Sequence, residues 1–134
     1  MLRAVFDTNI FISSIFWKKG NPNKIVALAL DKKIQVFTSL PLLQELAHVL
    51  RRDFNEPEPI IQRQLALILS YAVVVVPRVR IEVVKEDPED NKVLECALSV
   101  KTDYVVSGDK HLLNLKGFKG VKIVSAKDFL EAAS

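Results

Sequence analysis

The sequence predicts an α/β fold, a three-layer α/β/α sandwich around a central parallel sheet of four to five strands. Three observations carry this. Short β-branched or aromatic runs alternate with helix-period segments along the chain, and such alternation implies a parallel sheet covered on both faces. The runs at 3–6, 73–76 and 121–124 are almost continuously apolar, as strands buried on both sides must be. No repeat, low-complexity tract or linker interrupts the 134 residues, so the span 1–134 reads as one domain.

The elements follow in order. Arg3-Ala4-Val5-Phe6 is a first strand, and residues 8–16 form a helix apolar nearly all round, hence a buried one. Gly20-Asn21-Pro22-Asn23 reads as a breaker before a helix over 24–33 with Ile25, Leu28, Ala29 and Leu30 inward. A second strand covers 35–38. Ser39 then caps a helix to Arg52, with Pro41 tolerated in its first turn. Glu56-Pro57-Glu58-Pro59 introduces a helix over 60–71, and four valines before Pro77 form a third strand. Residues 78–86 are ambiguous. Asp87-Pro88-Glu89-Asp90 opens a helix to about Lys101, and 103–107 is a fourth strand. Gly108-Asp109 starts a short helix through Leu115, and 121–124 is a fifth strand. Ser125 and Asp128 make a capping box for the last helix.

Hydrophobic residues are 49% and charged residues 26%, enough for a core and too polar for a membrane span. The N-terminus reaches Asp7 without a long apolar segment, so the chain reads as cytoplasmic. Cys96 is the single cysteine, and His48 and His111 are the two histidines. That excludes an intramolecular disulfide and a cysteine zinc site, and points any metal site toward oxygen ligands and Mg²⁺ or Mn²⁺. A net charge of +3 permits a polyanionic partner without requiring one. On the helix after the third strand, Cys96 falls on the side of Val93, Leu94 and Ala97 and is expected in the core.

The acids are more informative. Asp7 follows the first strand directly, Asp109 follows the fourth by one turn, Asp90 opens the helix that feeds the fourth, and Glu45 lies in the helix after the second. In a doubly wound sheet the crevice lies at the carboxyl ends of the strands, where the first and fourth can be neighbours. Converging carboxylates repel unless a cation neutralises them. Mg²⁺ or Mn²⁺ suits such a site and supplies activated water and charge neutralisation to a phosphodiester. Thr8 and Asn9 bring a hydroxyl and an amide to the first turn after Asp7. Ser107-Gly108-Asp109 repeats the arrangement, with Gly108 expected to permit a sharp turn.

Val5-Phe6-Asp7-Thr8-Asn9, Glu45, Asp87-Pro88-Glu89-Asp90-Asn91 and the run from Val105 to Leu113 together resemble the PIN domain family. Within that family it resembles the prokaryotic PIN proteins assigned as toxins of toxin–antitoxin pairs, the VapC-like ribonucleases. The resemblance spans essentially the whole chain. It implies a Mg²⁺- or Mn²⁺-dependent endoribonuclease in which Asp7, Glu45, Asp90 and Asp109 match the acidic quartet. Asn9 and Ser107 match the accompanying polar positions. Relatives commonly dimerise, and toxin members are restrained by a small antitoxin protein. Many carry a further acid where this chain has His111, which leaves one metal or two open. Lys18, Lys19, Arg51, Arg52 and Lys110 flank the acids and are expected to guide RNA.

Plainer readings stand beside these. Asp7, Asp90 and Asp109 are each placed to cap a helix. Glu45 and His48 have solvated helix positions as their plain reading. Trp17 and Phe16 read as core or dimer contacts. A dehalogenase-type phosphatase requires an acid at position 9, where Asn stands. A response regulator requires a phosphorylatable Asp after the third strand, where Pro77-Arg78 stand. The remaining rival is a PIN-like domain that binds RNA or a partner without cutting. The apolar side of 60–71, with Ile61, Leu65, Ile68 and Leu69, reads as a dimer face or as core.

Overall fold

The computed structural model describes residues 1–80 and 90–134, the side chain of Asp90 excepted. The elements are β1 (Arg3–Phe6), α1 (Thr8–Phe16), α2 (Asn21–Leu30), β2 (Gln35–Ser39), α3 (Leu40–Arg52), α4 (Glu58–Tyr71) and β3 (Ala72–Val75). They continue with α5 (Asp90–Val100), β4 (Tyr104–Val106), α6 (Lys110–Leu115), β5 (Gly117–Phe118), β6 (Val121–Val124) and α7 (Ala126–Ala133). The expected α/β/α sandwich is present. The strand order is β3-β2-β1-β4-β6-β5, with every pair parallel except β5 with β6. The five expected strands are joined by β5, a two-residue antiparallel strand too short to leave a pattern in the sequence.

The topology follows from the chain's direction of growth. From β1 it builds outward through β2 and β3, then crosses back to lay β4 on the other side of β1. The carboxyl ends of β1 and β4 therefore flank the point where the winding reverses, and a crevice opens there. Side-chain alternation on β1 divides the core: Ala4 and Phe6 enter one apolar cluster with α1, α2, α4 and α7, while Val5 enters the other with α5 and α6. α3 contributes Leu43, Leu46 and Leu50 to the first cluster and Leu42 to the second.

Several expectations need correction. α2 begins at Asn21 rather than at Lys24, because Pro22 occupies its first turn, where a missing N–H costs nothing. Val26 is buried on that helix while Leu30 is 45% exposed. β3 is an edge strand, so Val73 and Val74 are half-exposed rather than covered on both sides. Ile61 and Ile68 are fully buried and belong to the core, so they are not a dimer face. Trp17 is 59% exposed and is not a core residue; it meets Phe16 edge-on, and Phe16 stacks on Phe54 at 4.5 Å between centroids. Glu86, Asp87 and Glu89, which the sequence suggests as a solvated acidic run, and most of the ambiguous 78–86 stretch lie outside the described residues. Among the described residues no helix is long and apolar enough to cross a membrane.

Two local expectations are met. Ser39 Oγ accepts from Leu42 N at the start of α3, and Ser125 Oγ accepts from Asp128 N at the start of α7. Asp103 Oδ2 accepts from Arg3 N at 2.9 Å and ties the start of β4 to β1. Cys96 is completely buried in the second cluster. Burial pushes its thiol up to about 12, with a hydrogen bond to Ser39 pulling weakly the other way. At pH 8 the thiol therefore stays protonated, and the sulfur is also covered. The folded protein should resist a thiol reagent and label fully once unfolded. Rapid labelling of the native state would contradict this placement of α5.

Candidate active site

The site is built where β1 and β4 end side by side. Asp7 N donates to Val106 O at 2.9 Å, and Ser107 N to Val124 O at 3.0 Å, so the ladder continues past the strand ends and sets the two turns in register. Asp7 is then the N-cap of α1 and Asp109 the N-cap of α6. The capping role seen from sequence is real for both, and it does not exhaust either.

Ser107 joins the two turns. It is fully buried; its Oγ donates to Asp7 Oδ2 at 2.7 Å and accepts from Asp109 N at 2.9 Å. Asp7 Oδ1 accepts from Thr8 N at 2.7 Å. Both oxygens of this nearly buried carboxylate therefore receive hydrogen bonds, the condition under which a buried charge is tolerated. Asn9 Oδ1 accepts from Gly108 N at 3.1 Å and clamps the β4–α6 turn to α1. Gly108 does not have a positive φ, and a Cβ there would meet Asn9 at 3.7 Å, an ordinary contact. The turn therefore rests on this clamp rather than on glycine's freedom. Asp109 Oδ1 caps His111 N at 2.7 Å, and among the described residues no donor reaches Oδ2.

Asp7, Thr8, Asn9, Glu45 and Asp109 line one cavity of about 240 Å³, with Ile12 and Val49 as its apolar wall. Glu45 enters it from α3, half-buried, because the buried row Leu42, Leu46 and Leu50 fixes which side of that helix faces the core. Three of the four acids singled out in the sequence thus share a cavity. The fourth, Asp90, opens α5, and its side chain lies outside the described residues. Among the described residues no three His, Cys, Asp or Glu side chains are close enough to hold a metal by themselves. The donor set nonetheless suits a hard cation. It is all oxygen, and among the described residues Thr8 Oγ1, buried in the cavity wall, has no hydrogen-bond partner, the kind of orphan that an ion or its water satisfies.

The residue pattern, order and geometry match a known domain. A model of the PIN domain matches residues 3–111. This chain belongs to the PIN domain family. Within this nuclease-type family, the chain is 29% identical to the uncharacterized protein MJ1680 of Methanocaldococcus jannaschii over a 143-residue alignment, covering 97% of this chain and 90% of that protein. Its PIN fold is shared with the crystal structure of VapBC2 from Rickettsia felis bound to a DNA fragment from their promoter. There the TM-score is 0.64 at 15% identity, over 92% of this chain and 98% of that one. The RRP44 PIN domain of T. brucei gives 0.53 at 13% identity, over 98% and 80%.

The basic residues expected to guide RNA are unequally placed. Lys18, Lys19 and Lys110 are exposed. Arg51 forms a two-point ion pair with Glu58, joining the end of α3 to the start of α4. This hydrogen bonding raises the Arg51 pKa and lowers that of Glu58. Arg52 is gripped by Asp53 through Nε and Nη2, and its Nη1 lies 3.2 Å from His48 Nε2. Lys92 was missed in the sequence. The signal available was its position two residues after Asp90, on the same first turn.

Proposed function

We propose that this PIN domain is a divalent-metal-dependent endoribonuclease. The observation that carries the reading is the Asp7–Ser107–Asp109 linkage, which sets two acids from opposite sides of the switch point around one cavity that Glu45 also lines. A structural cap alone would not need a second acid tied to it across 100 residues of sequence. Asp7, Glu45, Asp90 and Asp109 would hold Mg²⁺ or Mn²⁺, with Thr8 in the cavity wall and Ser107 and Asn9 keeping the two turns in place. When bound, such an ion neutralises charge on a phosphodiester and makes water a stronger nucleophile. The protein's own contribution is to hold the acids in position, with Asp7 pinned by two hydrogen bonds, and to wall the site with Ile12 and Val49.

The proposal extends to a cytoplasmic toxin held by a small antitoxin and acting as a homodimer. The fold shared with VapBC2 supports the first part. An exposed apolar surface supports the second: Leu40 and Leu69 are more than half exposed and border a mostly apolar groove with Leu65 and Ala66. A binding domain that does not cut is the second reading, favoured by His111 standing where the family resemblance leads one to expect a further acid.

The deciding experiment incubates purified protein with a mixed-sequence RNA in Mn²⁺ and, separately, in EDTA. Cutting in Mn²⁺ that EDTA stops is the expected result. Well-folded protein that binds RNA and leaves it intact with metal would put the binding reading first.

A further inference from the structure

A second cavity adjoins the acidic one. It encloses about 560 Å³ and is bordered by Glu45, His48, Val49, Arg52 and Lys92. Glu45 and Val49 also line the first cavity, so the two are neighbours on one surface along α3. Its chemistry changes sign along the way. One end carries Asp7, Asp109 and Glu45; the other carries Arg52, Lys92 and a histidine. We propose that this second cavity is a phosphate subsite that seats a backbone phosphate of single-stranded RNA next to the one at the acids.

The spacing on α3 supports this. Glu45, His48 and Arg52 lie at i, i+3 and i+7, one face of the helix. At 1.5 Å rise per residue, His48 and Arg52 stand about 5 and about 10 Å beyond Glu45. Over that distance a single strand carries further phosphates away from a central one. Arg52 is already oriented: Asp53 holds Nε and Nη2, and Nη1 lies against His48 Nε2. Each Nη keeps a second N–H, so the guanidinium retains donors for a phosphate, a group it recognises well. Lys92 approaches from α5, so the subsite draws on two helices. Its placement assigns the strand a direction of travel along α3, from the switch point toward Asp53.

This inference rests on the nuclease reading only for the position of the cut, so its test is run on binding. A fluorescein-labelled 20-nucleotide RNA of mixed sequence is titrated in EDTA, at several salt concentrations, with wild type and with the Arg52→Gln/Lys92→Gln variant. Lys33→Gln/Lys122→Gln, with the same charge change at the amino ends of the strands, is the control. The expected result is roughly tenfold weaker binding in the first variant and a salt slope smaller by about 0.7 for each phosphate left without its cation, with the control like wild type. Unchanged affinity and slope, or an equal weakening in the control, overturns the subsite whether or not the wild type cuts RNA. The expected weakening in a protein that never cuts would keep the subsite and remove the nuclease reading alone.

Discussion

Asp7→Asn should reduce metal-dependent RNA cleavage by on the order of 10³-fold while the protein stays folded. The substitution keeps shape and removes charge. Asp7 is the most buried of the three acids with described side chains, so its charge is the one least replaced by solvent. The fold survives because the local hydrogen bonds can be rebuilt. Thr8 N still finds an oxygen at the Oδ1 position, and the Ser107 hydroxyl can rotate to accept from the new amide while continuing to accept from Asp109 N. A hydroxyl oxygen has two lone pairs for that purpose. The test pairs cleavage rates with thermal melts. A variant that melts like wild type and cuts at the wild-type rate would reduce Asp7 to a helix cap. Metal titration by calorimetry separates loss of the ion from loss of a later step.

The second large effect is expected far from the site. Phe129→Ala should cost about 3–5 kcal/mol, a large part of the stability of a domain this size. Phe129 is fully buried on α7, edge-on to Phe6 at 6.1 Å and to Tyr104 at 5.4 Å between centroids. It covers the strand whose next residue is Asp7. The family match ends at residue 111, before α7 begins, so this effect belongs to the part of the chain the match does not reach. A midpoint lowered by roughly 10–20 °C in thermal denaturation would agree. A change of a degree or two would mean that α7 is dispensable to the core.

Much of the fold was legible because its signals are local. β1 and α1 have the bounds read from the apolar run and its period, and Ser39 and Ser125 cap as their side chains dictate. Local signals failed where the competing factor was position in the whole. The valines of β3 read as a central strand because composition does not say which strand is at an edge. Ile61 and Ile68 were open between core and interface because a helix's apolar side does not name what it packs against.

The sequence by itself determined the α/β/α class, the order of the elements apart from β5, and where along them the four candidate acids fall, since periodicity and residue type are properties of short stretches. Only the tertiary structure decided that Ser107 bonds Asp7, that Asn9 rather than glycine's freedom holds the turn at Gly108, and that Glu45 faces the same cavity as Asp109. Those facts depend on β4 lying beside β1. That pairing joins residues about 100 positions apart, and no local pattern encodes a contact whose formation depends on how every intervening element packs.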